Sequence, residues 1–187
     1  SVSIALEKRG RLEQAVVYHP LRQEMFPASR GEGAQLEGKR IRVTQQKSLE
    51  GALIGTGFPY RENAQWLEAY LAMLRTVMQA TAGIRRPGSA ALDLAYVAAG
   101  RYEGFWEDHL SPWDIAAGIV LVREAGGYVT EIDGGGHMLV TGSTFGPNAV
   151  NEGNPYPVSR RSTRRRRLQG RSALVVGRAH GISVACR

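Results

Sequence analysis

The sequence has one cysteine, Cys186, beside its last residue, so neither a disulfide framework nor a cysteine-based metal site is available. No apolar run approaches the roughly 18 residues that cross a membrane, and no charged-then-apolar leader precedes the first residues. A cytoplasmic protein with no membrane partner is the expectation. Its four histidines, His19, His109, His137 and His180, share no metal-ligand spacing and read as surface or turn residues. Internal repeats are absent. Acidic residues are scarce in one place: residues 143–187 hold nine arginines against Glu152 alone, whereas residues 1–142 hold 15 Lys+Arg against 16 Asp+Glu. The net charge of +7 therefore belongs to the tail, and a neutral domain with a basic tail suggests two different objects.

What is present is enough for one domain with a core: 187 residues, 43% of them hydrophobic. SVSIALEKRG, RLEQAVVYHP and residues 24–28 read as antiparallel strands, and Gly31, Gly33 and Gly38 punctuate a loop before KRIRV. ALIGTGFPY reads as a short buried strand. Apolar residues at Trp66, Leu67, Tyr70, Leu71, Leu74, Val77 and Met78 predict an amphipathic helix. After the Pro87-Gly88 break a small-residue helix runs over 90–99, stopped by Gly100. RYEGFWEDHL reads as a strand, and Ser111-Pro112 opens a second helix that Gly126-Gly127 ends. YVTEID is another strand, followed by the turn GGG and the short run HMLV. Strands alternating with helices indicate helices packed on a sheet. After residue 142 the chain is arginine-rich and without period, reading as disordered apart from SALVV, a candidate strand.

The stretch WEDHLSPWDIAAG sets Glu107, Asp108 and Asp114 within eight positions. Ser111-x-x-Asp114 has the form of a capping box, and an acid in the first turn suits the helix dipole. A carboxylate ending a strand and another opening the next helix also point to one end of a sheet, where α/β folds bind ligands. Spacing alone favours capping over a site. Gly88-Ser89 raises the same pair of readings, a plain serine N-cap or backbone N–H groups presented to an anion or hydroxyl. Ser89 has no neighbouring base that would make it a nucleophile.

Residues 88–127, GSAALDLAYVAAGRYEGFWEDHLSPWDIAAGIVLVREAGG, resemble the C-terminal half of the inositol monophosphatase family, bacterial members in particular. VVYHPLRQEMFPASRGEGAQLEGKRIRV (16–43) and TGFPY (56–60) are similar to the same family. The W-D-x-A-A-G element with a glutamate seven residues before its aspartate is the most specific part. The resemblance implies an α/β chain, the C-terminal part of the layered αβαβα sugar-phosphatase fold, with mixed sheets and packed helices. It also implies a Mg²⁺-dependent phosphomonoesterase, acting on inositol 1-phosphate or a related sugar phosphate through metal-activated water. By resemblance Asp114 matches a metal ligand close to the inositol ring, and Glu107 the acceptor from that ring. Gly88, Ser89 and Ala90 match the helix start lining the sugar pocket, and Arg85 the basic residue before it. Full-length members are expected to be homodimers, and bacterial members are associated with ribosomal RNA synthesis.

Two departures follow. The family's Glu-Glu element and its D-P-I/L-D-G-T-T-N run, which supply most metal ligands and place the attacking water, are absent from residues 1–187. Residues 143–187 replace the family's closing strand and helix with an arginine-rich run, whose composition resembles out-of-frame translation. The sequence therefore predicts a partial domain over 1–142, a disordered or out-of-frame tail over 143–187, and no complete catalytic set: a fragment with weak activity or none. A non-catalytic alternative is binding of nucleic acid phosphates through RRSTRRRR, disfavoured because no aromatics interleave the arginines.

Overall fold

The computed structural model describes residues 1–59, 67–108, 110–131, 136, 138–141 and 172–176. β1 (Val2–Lys8), β2 (Arg11–His19), β3 (Glu24–Ser29), β4 (Gly33–Leu36) and β5 (Lys39–Arg40) form an antiparallel sheet in chain order. Because side chains alternate along a strand, the register sorts residues into two faces. Ser3–Val17–Phe26 and Ala5–Ala15–Ala28 form rows on the inner face, with Val17 and Phe26 fully buried. The rows Val2–Tyr18–Met25 and Ile4–Val16–Pro27 lie on the outer face. The structure differs from the expected loop over 31–38. Gly31, at φ 79°, helps return the chain so that Ala34 pairs with Ala28 and is buried. A four-residue strand is too short for its alternation to stand out among glycines.

β6 (Leu53–Thr56), β7 (Gly83–Arg85), β8 (Gly104–Asp108), β9 (Tyr128–Thr130) and β10 (Ser172–Val176) form a second, mixed sheet in the order β7-β6-β8-β10-β9. β6 runs parallel to both β7 and β8, while β10 is antiparallel to β8 and β9. The SALVV run of the basic segment thus lies inside this sheet. The three-residue β7 was not expected from the sequence; its place is set by the crossover from β6 rather than by any pattern of its own.

α1 (Leu67–Ala80) and α2 (Ala90–Ala98) are the crossovers into β7 and β8, and α3 (Pro112–Glu124) follows β8. α2 and α3 fill the space between the sheets, where Leu94, Val97, Ile115, Ile119 and Val122 pack with Val17 and Phe26 of one sheet and Phe105 of the other. Gly118 permits this close approach, since a Cβ there would fall on the Leu94 side chain. α1 covers the far face of the second sheet with Tyr70, Met73 and Val77 against Ile54 and Trp106. The layers are therefore sheet, helix pair, sheet, helix. A short α4 (Met138–Thr141) places Met138 in the central layer. Arg101, just after α2, ties that layer to β3: its guanidinium donates to both Glu24 oxygens at 2.9 and 2.7 Å and stacks on Tyr96. The Arg101 hydrogen bonds hold the Glu24 carboxyl below its ordinary pKa.

The outer face of the first sheet has no layer over it among the described residues. Val2, Ile4, Leu6 and Met25 are exposed there, Ile4 at 61%. An uncovered face of this composition drives association, and β1 is also an edge strand. The chain is expected to sediment as concentration-dependent oligomers, and Ile4→Lys to shift it toward monomer; equal sedimentation of the two would contradict that role.

Candidate functional site

The parallel register brings the candidate residues to one edge. Gly55 pairs with Arg85 on one flank and Phe105 on the other, and Thr56 pairs with Trp106. Gly57 and Arg86 follow the carboxyl ends of β6 and β7, and Glu107, near the carboxyl end of β8 and paired with Ala173 of β10, lies at the same edge. From β7 the chain turns through Pro87 and Gly88, whose φ of 87° suits glycine, into the N-terminus of α2. From β8 it passes through Leu110 and Ser111 into the N-terminus of α3. Ser1 and Ser3 at the start of β1 touch both helix starts: Ser1 Oγ lies 3.0 Å from Ser89 Oγ, and Ser3 Oγ donates to the Trp113 carbonyl at 3.1 Å.

Asp114 is half-buried and makes the expected capping box with Ser111: its Oδ2 accepts from the Ser111 N–H at 3.0 Å and its own N–H faces the Ser111 side chain, while also donating to the Ser111 backbone carbonyl at 2.9 Å. Its second oxygen makes no hydrogen bond among the described residues. A capping carboxylate with one oxygen to spare can also face a ligand. Ser89 holds the N-cap position of α2 but its side chain makes no capping bond, so the first N–H groups of that helix, starting at the buried Ala90, carry no side-chain cap. Arg85 is exposed and donates to the neighbouring Ile84 carbonyl at 3.0 Å. Arg86 lies over the Phe58 ring at 5.0 Å, and Trp113 is 72% exposed beside Asp114. The capping and ligand readings of Asp114 are thus both compatible with the geometry.

Glu107 lies two residues beyond Phe105, on the face of β8 that α2 and α3 cover. Glycine 57 makes room for it, since a Cβ at that position would fall on the Glu107 carboxyl group. A second residue that sequence reasoning passed over is Asp93, on α2. It is fully buried, and neither of its oxygens has a hydrogen-bond partner among the described residues. Burial, then the negative charge of Glu107, pushes its pKa up to about 8 against a weaker pull from the Ser89 backbone and Arg86. The signals were present: an acid inside the otherwise apolar run AALDLAYVA, and the glycine of TGFP.

A Mg²⁺ ion requires several oxygen donors in octahedral array. Among the described residues no group of three or more His, Cys, Asp or Glu side chains could hold a metal, and Asp114 already spends one oxygen on its cap. The donor set of these residues does not fit the ion by itself. A cavity of about 760 Å³ opens at the opposite end of α3, lined by Glu7, Arg11, Arg30 and Arg123 among others, and includes none of the candidate residues. No helix among the described residues is long and apolar enough to cross a membrane. His109, His137, Trp66 and most of residues 142–187 lie outside the described residues.

Helices sandwiched between two sheets, with β6 parallel to β7 and β8, define a layered α/β protein. The profile of the inositol monophosphatase family matches residues 1–165, and the chain belongs to that family. It is 58% identical over 149 residues to a Nus factor SuhB of Pseudomonas aeruginosa, covering 79% of this chain and 55% of that protein. It is 52% identical over 143 residues to an inositol-1-monophosphatase of Rhizobium meliloti, covering 76% and 53%. The extragenic suppressor protein suhB of Bartonella henselae superposes with a TM-score of 0.73 at 49% identity, over 76% of this chain and 54% of that one. The chain spans about half the length of the relatives it matches.

Two substitutions separate the roles of these residues. Asp114→Ala is expected to cost about 1 kcal/mol through its cap. Gly57→Ala should cost less than that, because the Cβ meets only the flexible end of the partly exposed Glu107 side chain, which can swing aside. Urea midpoints check both, and a Gly57→Ala variant destabilised more than Asp114→Ala would deny that freedom to Glu107.

Proposed function

We propose that this chain is the sugar-binding side of a cytoplasmic phosphomonoesterase that hydrolyses inositol 1-phosphate or a related sugar phosphate, and that alone it turns over very little substrate. The single supporting observation is the convergence of Glu107, the second oxygen of Asp114 and the α2 start at Gly88–Ala90 on one strand edge. Acceptors from the two acids match ring hydroxyls, which are donors, and the N–H groups opening α2 favour an anionic or hydroxyl oxygen. Arg85 adds positive charge at the same edge. Asp114 is a metal ligand in this reading only beside carboxylates from the family's acidic elements. The Mg²⁺ dependence therefore belongs to the assembled family protein, which dimerises, and not to these residues alone. The division at residue 142 holds only for the candidate side chains: Arg85, Gly88–Ala90, Glu107 and Asp114 precede it, while β10 after it flanks Glu107 through Ala173.

The purified chain is expected to release almost no phosphate from inositol 1-phosphate with Mg²⁺, and any release should be sensitive to lithium. Robust, lithium-sensitive turnover by the 187-residue chain would overturn the reading. A second, non-catalytic reading is favoured by one fact, that the relative at 58% identity is named a Nus factor. It expects salt-dependent retention of RNA, lost when the arginines of 160–167 are neutralised. Neutralisation is the better probe than deletion because β10 follows that run.

A further inference from the structure

The cavity of about 760 Å³ at the far end of α3 is built from the first sheet, α3 and α4, and takes in none of the residues assigned to the site above. Arg11 opens β2 just after the Arg9-Gly10 turn, Arg30 follows β3, and Arg123 lies in the last turn of α3. A cation in the last turn of a helix complements the helix dipole, which accounts for Arg123 alone. It does not account for two more arginines reaching the same space from the first sheet. Three guanidinium groups around one cavity repel unless carboxylates stand between them.

The carboxylates here are engaged or out of reach. Glu13 lies 3.5 Å from Arg30. Glu124 turns one oxygen to the Gly33 N–H at 3.0 Å, closing the start of β4. Glu7, the other acid on the lining, forms no ion pair with either remaining arginine. The side chains of Arg11 and Arg123 make no ion pair or hydrogen bond among the described residues. Partial burial, and then the charge of Arg30, holds the Arg123 guanidinium below its ordinary pKa. The rest of the lining is apolar, with Ile119 and Val120 of α3 and Met138 of α4 buried at its base.

We propose that this cavity binds a small organic anion that joins one acidic group to an apolar ring or chain. The acidic group meets Arg11 and Arg123, whose forked N–H donors suit the oxygens of a carboxylate, sulfonate or phosphate. The apolar part lies on Ile119 and Met138. The volume falls within the range of small-molecule sites, which combine apolar walls with a few convergent polar groups. Charge narrows the class further. Three arginines against Glu7 and Glu124 leave one net positive charge on the lining, which suits a single negative charge better than several. The site is independent of the sugar-phosphatase reading, since neither Glu107 nor Asp114 lines it.

Anilinonaphthalene sulfonate is the probe, one sulfonate on apolar rings whose fluorescence rises when they leave water. The whole 187-residue chain should bind it saturably, and Arg123→Gln and Arg11→Gln should each weaken binding about tenfold through loss of one charge-assisted contact. Two controls separate the cavity from the apolar face of the first sheet. Ile4→Lys should leave the arginine-dependent binding unchanged. Phenylnaphthylamine, the same rings without the sulfonate, should bind wild type and both arginine variants alike. Sulfonate affinity that neither arginine change moves, or that Ile4→Lys abolishes, overturns the site, and so does an equal loss for the uncharged probe. Arg11 is exposed at the hairpin, so if Arg123→Gln does not fold, Arg11→Gln decides with the same two probes.

Discussion

β6 is held between β7 and β8 by parallel hydrogen bonding, with Gly55 in register with Arg85 on one side and Phe105 on the other. The placing of Gly57, Arg86 and Glu107 at one edge depends on that register. A slip of one residue would turn Phe105 out of the central layer, put Trp106 in, and swing Glu107 away from α2. The strand tolerates its neighbours because it is built with gaps: Gly55 leaves space for the rings of Phe105 and Tyr102, and Gly57 for the Glu107 carboxyl group. Small residues on the central strand and large ones on its flank fix where the acid ends up.

The two helix starts depend on the same edge but are specified differently. α3 carries its own start signal, a serine, a proline and an aspartate at the right spacing, and its cap forms from residues three apart in sequence. α2 carries a serine in the N-cap position that does not cap, and its hydroxyl meets Ser1 instead. One helix start is thus closed by its own side chains, and the other carries no side-chain cap. That asymmetry leaves uncapped N–H groups after the Gly88 turn and a carboxylate oxygen to spare at Asp114.

What was legible in the sequence was local. The β1–β2 hairpin turn, both central helices with their stops at Gly100 and Gly126, and the capping role of Asp114 all come from residues within a turn or two of each other. β4 and β7 were not legible, being four and three residues long and placed by partners far away in sequence. Asp93 was missed for a related reason. Its neighbours in sequence describe an ordinary buried helix, and only the fold shows that the acid itself is sealed from water. Glu107 was found through a resemblance, yet the glycine that seats it lies 50 residues earlier, in a motif whose role spacing could not disclose.

The outer face of the first sheet is apolar, and the first strand of that sheet also reaches the helix start that carries Asp114. Antiparallel sheets can leave one face in water, but that face is then polar, and here it carries Val2, Ile4 and Met25 in cross-strand rows with Val16, Pro27 and Tyr18. Such rows suit a covered surface. The αβαβα arrangement has a helical layer in that position, and the described chain supplies the other four layers in order. Ser1 and Ser3, at the start of the same sheet, touch the starts of α2 and α3. The apolar rows and the serine contacts thus belong to one sheet: its outer face has no covering layer among the described residues, and its first residues reach the helix starts at Ser89 and Asp114.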